Sequence, residues 1–184
     1  ETLVVQSKKN DGTQRVFYAS AIGSWTEITD GDFPAATILG KMEFMDGYAF
    51  AATNTNKLYN SDLNNLSSWG ATSFITKQIR QDVAKGLARW GKQILFFGQE
   101  TVEVFENAGY PTGSPLQTNP SKYQRIGLGK MLLSVTGDTE YYSVCDGKMY
   151  FVASQGWNNF SVMSYDGQNF NKVSNIAIDK IIAT

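Results

Sequence analysis

Short runs in which apolar and polar residues alternate, broken by glycine-containing turns, cover most of this chain and predict antiparallel strands. Residues 3–6 and 15–20 read as a hairpin around Lys9-Asn10-Asp11-Gly12, with an outer strand at 25–29 and a loop Asp30-Gly31-Asp32-Phe33-Pro34. A second unit runs through 41–44, the turn Asp46-Gly47, 48–53, the turn Asn54-Thr55-Asn56 and 57–61; a polar loop at 62–67 and a closing strand at 69–74 complete it. The third holds 93–97, Gly98-Gln99 and 101–106, where Ile94, Phe96, Val102 and Val104 alternate with polar neighbours. The fourth holds 131–135, 140–145, Asp146-Gly147, 148–153, 160–165, Asp166-Gly167 and 170–173, and the apolar run Ile176–Ile182 predicts one more strand. Asp-Gly supplies the positive φ of a tight hairpin turn at little cost, so Asp46-Gly47 and Asp146-Gly147 are equivalent turns in this reading.

The units repeat. Ser24-Trp25-Thr26 is answered by Ser68-Trp69-Gly70 and, with Phe for Trp, by Asn169-Phe170-Asn171; Tyr123-Gln124-Arg125 fills the gap between them. The aromatic positions 25, 69, 123 and 170 lie 44, 54 and 47 residues apart. A period of about 40–50 residues built from short strands is the signature of β-propeller blades. The fold expected is therefore all-β, a β-propeller or propeller arc of about four blade-like units, with residues 1–184 as one domain. Ile176–Ile182 either completes the first unit and closes a small ring, or the chain is an arc of a larger propeller. The start at Glu1 without Met favours a piece of a longer chain.

The stretch 77–90 departs from the pattern. Gly86 disfavours a helix interior, so a loop followed by an inner strand is expected, with Val83, Leu87 and Trp90 turned inward. Lys77, Arg80 and Arg89 have no evident local partners there, which makes them, with Lys85, candidates for a solvated rim or a contact to a neighbouring subunit.

Composition narrows the classes. Apolar residues form 42% of the chain and charged residues 18%, a globular balance without a disordered tail or basic arm. The net charge of −1 gives no electrostatic footprint for nucleic acid, so no sequence-specific nucleic-acid binding is expected. No apolar run approaches the ~18 residues of a membrane-spanning helix, so no membrane insertion is expected either. A single cysteine, Cys145, excludes a disulfide framework within the chain and reads as a half-buried free thiol.

Catalytic chemistry is sparse. The chain has no histidine, which removes Ser-His-Asp and Cys-His arrangements and histidine metal sites. Gly127-Leu128-Gly129-Lys130 lacks the spacing of a phosphate-binding loop. Asp30 with Asp32, Glu100 with Glu103, and Asp138 with Glu140 are the carboxylate pairs open to acid–base work; Glu100, Glu103 and Glu106 read instead as the polar side of an edge strand. Ser164-Tyr165-Asp166-Gly167-Gln168-Asn169-Phe170 is similar to the Asp-box turn of sialidase propellers but lacks the residue that box carries between Asp and Gly. It predicts a hairpin turn whose Asp side chain accepts backbone N–H groups. Trp157, in the loop Gly156-Trp157-Asn158-Asn159, covers a blade edge or stacks on a sugar ring. No catalytic residue, metal or cofactor is nominated.

Two segments carry a family resemblance. Asn56-Lys57-Leu58-Tyr59-Asn60-Ser61-Asp62-Leu63-Asn64-Asn65-Leu66-Ser67-Ser68-Trp69 resembles a segment of phage tail propellers. Thr101-Val102-Glu103-Val104-Phe105-Glu106-Asn107-Ala108-Gly109, with Gly113-Ser114-Pro115 and Gly127-Leu128-Gly129, extends it. Over most of 16–135 the chain resembles the packaged-DNA stabilisation, or tail hub and nozzle, proteins of short-tailed bacteriophages. The resemblance implies a non-enzymatic virion protein made in the host bacterial cytoplasm. It implies a homo-oligomeric ring in the tail below the portal, retaining packaged DNA and docking a portal adaptor, tail spike or plug. The alternative from another class is a propeller that binds or cleaves host surface glycans, using Trp157, Asp138 and Glu140.

Overall fold

Four antiparallel sheets follow one another along the chain, and within each the strands stand side by side in sequence order. The structure is a computed structural model and describes residues 2–9, 11, 13–21, 23–128, 142–154 and 159–183. The first sheet comprises β1 (Leu3–Lys8), β2 (Gln14–Ala19) and β3 (Thr26–Glu27). The second comprises β4 (Glu43–Met45), β5 (Tyr48–Ala52), β6 (Lys57–Asp62) and β7 (Asn65–Thr76). The third holds β8 (Ala84–Trp90), β9 (Gln93–Gly98), β10 (Val102–Asn107) and β11 (Leu116–Thr118). The fourth holds β12 (Tyr142–Cys145), β13 (Lys148–Ser154), β14 (Phe160–Tyr165) and β15 (Phe170–Lys172), and is followed by the helix α1 (Ile176–Ile182).

Turn chemistry sets this meander. Asp46 and Gly47 have φ of 51° and 85°, and Asp146 and Gly147 have 47° and 67°. Both pairs make the two-residue turn whose twist matches its strands, as the Asp-Gly signals predict. Strands then alternate their side chains between two blade faces, and here both faces of the middle strands are apolar. Phe50 and Ala52 of β5 face the third blade and Ala49 and Ala51 face the first; Ile94 and Phe96 of β9 face the second and Leu95 and Phe97 the fourth.

Three clusters result, one at each junction between successive blades. Val16, Ile28, Trp69 and Phe33 join the first to the second. Leu58, Leu87, Phe96 and Phe105 join the second to the third. Phe97, Val104, Phe151 and Tyr165 join the third to the fourth, with the Phe97 and Phe151 rings edge-on at 5.1 Å. Among the described residues no cluster joins the fourth blade to the first, and Leu3 and Val5 on the first blade's far side are exposed. Among the described residues the blades form an open arc.

Several expectations need correction. Ile176–Ile182 is a helix, because Asn175 caps it by accepting from the Ile178 N–H at 3.1 Å and Asp179 is held by Lys172 and Ser174; it does not complete the first blade. The loop expected at 62–67 is only Leu63-Asn64, since Asn64 takes a positive φ of 54° and Asn65 already pairs with Asp62. Tyr123 is no strand ending: Asn119 caps a 3₁₀ turn at Pro120–Lys122 just before it, and the outer strand of the third blade is β11. Trp25 is exposed where its counterpart Trp69 is buried. Val83 is exposed, one residue before β8 begins, whereas Leu87 is buried. Cys145 is exposed, because it sits at the tip of the β12–β13 hairpin. The expected strand at 131–135 lies outside the described residues.

Candidate interaction surface

The connection from β7 to β8 carries the charged stretch singled out in the sequence, and a buried polar network fixes it. Lys77 is 3% exposed and donates to Asp82 Oδ1 at 2.5 Å, to the Thr101 carbonyl at 2.9 Å and to Thr101 Oγ1 at 2.7 Å. All three ammonium donors therefore have acceptors. Burial pulls the Lys77 pKa down, and the hydrogen bond and charge of Asp82 oppose that pull. Asp82 also accepts the backbone N–H groups of Glu100 and Thr101 at 2.7 and 3.0 Å.

Glu103 completes the network from β10. Its side chain is buried and accepts three consecutive backbone N–H groups, those of Gln78, Ile79 and Arg80, at 2.8, 3.1 and 3.0 Å. β10 lies between β9 and β11 and is not an edge strand, so Glu103 has no route to water on a solvated side. Its charge is stabilised by charge-assisted hydrogen bonds to the loop. Sequence reading placed Glu103 on a polar flank; the missed signal was an acidic residue centred in the apolar run Val102-Glu103-Val104-Phe105 beside a polar loop.

Of the four basic residues expected at a contact, Lys77 and Lys85 are buried. The other two have local partners, contrary to expectation. Arg80 pairs with Glu100 at 2.8 Å on the surface, and Arg89 donates to the Phe44 and Gly91 carbonyls at 2.7 and 2.9 Å. The fixed loop presents to solvent the apolar Ile79 and Val83 together with the polar Gln78, Arg80 and Gln81.

Of the carboxylates proposed for catalysis, Asp30 and Glu103 accept backbone N–H groups of a turn and a loop, and Glu100 pairs with Arg80. Asp30 accepts from the Asp32 and Trp69 N–H groups at 2.8 and 3.3 Å, and Glu100 and Glu103 are engaged as described. Asp166 accepts from the Gln168 and Asn169 N–H groups at 2.8 and 2.7 Å, as its turn motif predicts, and these bonds hold its pKa below the ordinary value. Asp138, Glu140 and Trp157 lie outside the described residues. Among the described residues no group of three or more candidate ligands could hold a metal ion. Within the third blade Glu106 accepts from Gln93 and Asn119, and Tyr165 of the fourth blade crosses to it, donating to Gln93 at 2.7 Å. Tyr142 of the fourth blade reaches the second, donating to Glu43 at 2.6 Å beneath the Lys41 ammonium.

A family model described as bacteriophage P22 Gp10, β-propeller, matches residues 5–184. The chain belongs to this family. Its four sheets are thereby propeller blades of a phage structural protein, and the resemblance seen over 16–135 extends through the fourth blade. No curated protein matches the chain. Among solved structures it is similar to BamB from Moraxella catarrhalis, at 13% identity and a TM-score of 0.49 over 95% of this chain and 49% of that one. The chain spans about half the length of that structure.

Proposed function

We propose that this protein is a non-catalytic building block of the phage tail, part of a hub or nozzle below the portal that helps retain packaged DNA and docks other tail proteins. Membership of the Gp10 propeller family carries the reading. The chemistry of the described residues supports it: three of the acid–base candidates, Asp30, Glu100 and Glu103, are engaged in a turn, a surface ion pair and a loop. A scaffold of fixed blades offers what a ring of repeated subunit contacts requires, since symmetry multiplies any small misfit. The loop from Lys77 to Val83 is the surface assigned to a neighbouring subunit, with Ile79 and Val83 as apolar contacts and the buried charges as supports. Such proteins are made in the host cytoplasm before joining the virion.

Electron microscopy of the protein mixed with tail-less phage particles tests the role. Density capping the portal vertex, lost in an Ile79→Asp/Val83→Asp variant that remains folded, is the expected result. Discs that ignore the particles would end this proposal and bring the glycan-binding alternative forward.

A further inference from the structure

Two buried side-chain oxygens among the described residues have no hydrogen-bond partner, Asn60 Oδ1 and Thr118 Oγ1. Strand register brings both to one junction. Asn60 pairs with Phe50, which packs in the cluster between the second and third blades, and paired residues share a face of their sheet. Asn60 therefore faces the third blade. Thr118 pairs with Phe105 of the same cluster, so it faces the second. Their levels also match. Leu58 pairs with Ala52 as Val102 pairs with Phe97, and each of these four faces the following blade. Counting on from Leu58 and Val102, Asn60 corresponds to Val104 and Ser61 to Phe105. Successive blades repeat these positions, so Thr118, opposite Phe105, stands about one residue's rise (~3.4 Å) from the level of Asn60.

An unmade hydrogen bond at a buried oxygen is costly, and the third blade avoids the cost: its Val104, at the Asn60 position, is apolar and fully buried. Asn60 is 2% exposed and its Nδ2 donates to the Ser61 carbonyl at 3.0 Å, so the amide oxygen is the end left over. The outer strand makes room beside it. Tyr59 pairs with Phe74 and Ser61 with Trp69, so Asn60 alone stands opposite Gly70-Ala71-Thr72-Ser73. These four residues bulge from the ladder, which leaves backbone groups out of register with β6. They fold back on themselves, since a Cβ on Gly70 would stand 2.6 Å from Ser73 Oγ. Gly113 of the β10–β11 connection approaches from the third blade, where a Cβ would lie 3.8 Å from the Thr72 carbonyl oxygen. Ala71 and Thr72 are exposed, which puts solvent on the far side of the bulge.

We propose that a bound water bridges the second and third blades under the β7 bulge, accepting from the Thr118 hydroxyl and donating to Asn60 Oδ1. The chemistry of the pair selects it. The two oxygens do not bond each other. One can donate and the other can only accept, and a water serves both at once. Its second hydrogen is left for a backbone carbonyl of the bulge, which gives the three bonds usual for an internal water. The junction is thereby a wet seam at Asn60, where the next junction is closed by the apolar side chain of Val104. The water exchanges with solvent through the bulge. The inference rests on ladder register and on two orphaned oxygens, and stands apart from the tail role proposed above.

A crystal structure at a resolution that shows internal waters tests it directly. The expected result is a water peak about 2.5–3.0 Å from both Asn60 Oδ1 and Thr118 Oγ1. A direct bond between the two side chains, a protein partner for either oxygen, or no peak overturns the proposal. An anomalous signal at this point after a thallium(I) soak overturns it too, because that marks a monovalent cation. Denaturation of variants gives a second reading in solution. Thr118→Val removes only the hydroxyl and should lower the folding equilibrium constant about fivefold. An unchanged or higher constant would mean that the hydroxyl has no water to lose, and the proposal fails. Asn60→Val, the residue the third blade uses, should lower the constant as well. The double variant should lose less than the product of the two single losses, because one water serves both side chains. Single losses that simply multiply would show that the two side chains share nothing, and the bridge is overturned.

Discussion

Two side chains, Glu103 and Lys77, carry a disproportionate share of the local order at the junction of the second and third blades. Replacing Glu103 by Gln keeps its shape but removes the charge and one of the two carboxylate oxygens that Gln78, Ile79 and Arg80 share. A loss of about 1–3 kcal/mol is expected, the cost of leaving buried polar groups without adequate partners. Chemical denaturation measures it, and faster exchange at those three amides would locate it. Lys77→Met should cost more, about 3–5 kcal/mol, because Asp82 then remains buried without its cation. A loss under 1 kcal/mol would mean that the pair is hydrated in solution. Glu106 provides the pH response. Its hydrogen bond from Asn119, then those from Gln93 and Lys122, hold its pKa below the ordinary 4.5. As pH falls, the unfolded chain takes up that proton before the folded one, so the contribution of Glu106 is complete above pH 4.5 and fades as pH drops through its folded value. Thermal melts of Glu106→Gln should accordingly fall less steeply than those of the parent between about pH 5 and 3.

At the scale of the element, the two Asp-Gly hairpins separate backbone cost from crowding. Gly47 and Gly147 share a positive φ, so alanine at either position carries the left-handed penalty of about 1 kcal/mol. A Cβ on Gly147 would meet nothing within 4 Å, whereas one on Gly47 would stand 2.6 Å from Asn64 Oδ1 and 2.8 Å from Leu63 Cδ1. Gly47→Ala should therefore be the more damaging in a denaturation experiment; equal losses would show that the Leu63-Asn64 turn yields freely. These hairpins also mark what was legible in the chain. Turn residues act locally, so the strands of the second and fourth blades stood close to where Asp-Gly placed them. Ile176–Ile182 was misread because a run rich in isoleucine fits a strand, while the Asn175 cap and the Lys172–Asp179 contact that stabilise a helix depend on where the outer strand ends. Glu103 was misread for a related reason: alternation identifies two faces, but it does not say that both are covered. In a blade between two blades they are, and a carboxylate there needs partners from another part of the chain.

For the whole molecule, the arrangement of the three clusters decides how stability is shared. Each blade touches its neighbours through one junction, so the arc behaves as a short series of nearest-neighbour contacts. Tyr142, reaching from the fourth blade to Glu43 of the second, is an exception that spans the inner edge of the third. Phe97 tests whether the series or the spanning tie dominates. Its ring is fully buried at the junction of the third and fourth blades, edge-on to Phe151. Phe97→Ala should cost about 3–5 kcal/mol through lost burial and the cavity left behind. In a nearest-neighbour arc the loosening appears as faster hydrogen exchange in β9, β13 and β14, with β1 and β2 little changed, because the cluster around Val16 and Trp69 shares no residue with the damaged one. Uniform acceleration from β1 to β15 would show instead that the inner-edge tie couples the blades into one cooperative unit. The same measurement on Tyr142→Phe/Phe97→Ala then decides between them: if the tie carries the coupling, removing its hydroxyl confines the damage to the third and fourth blades.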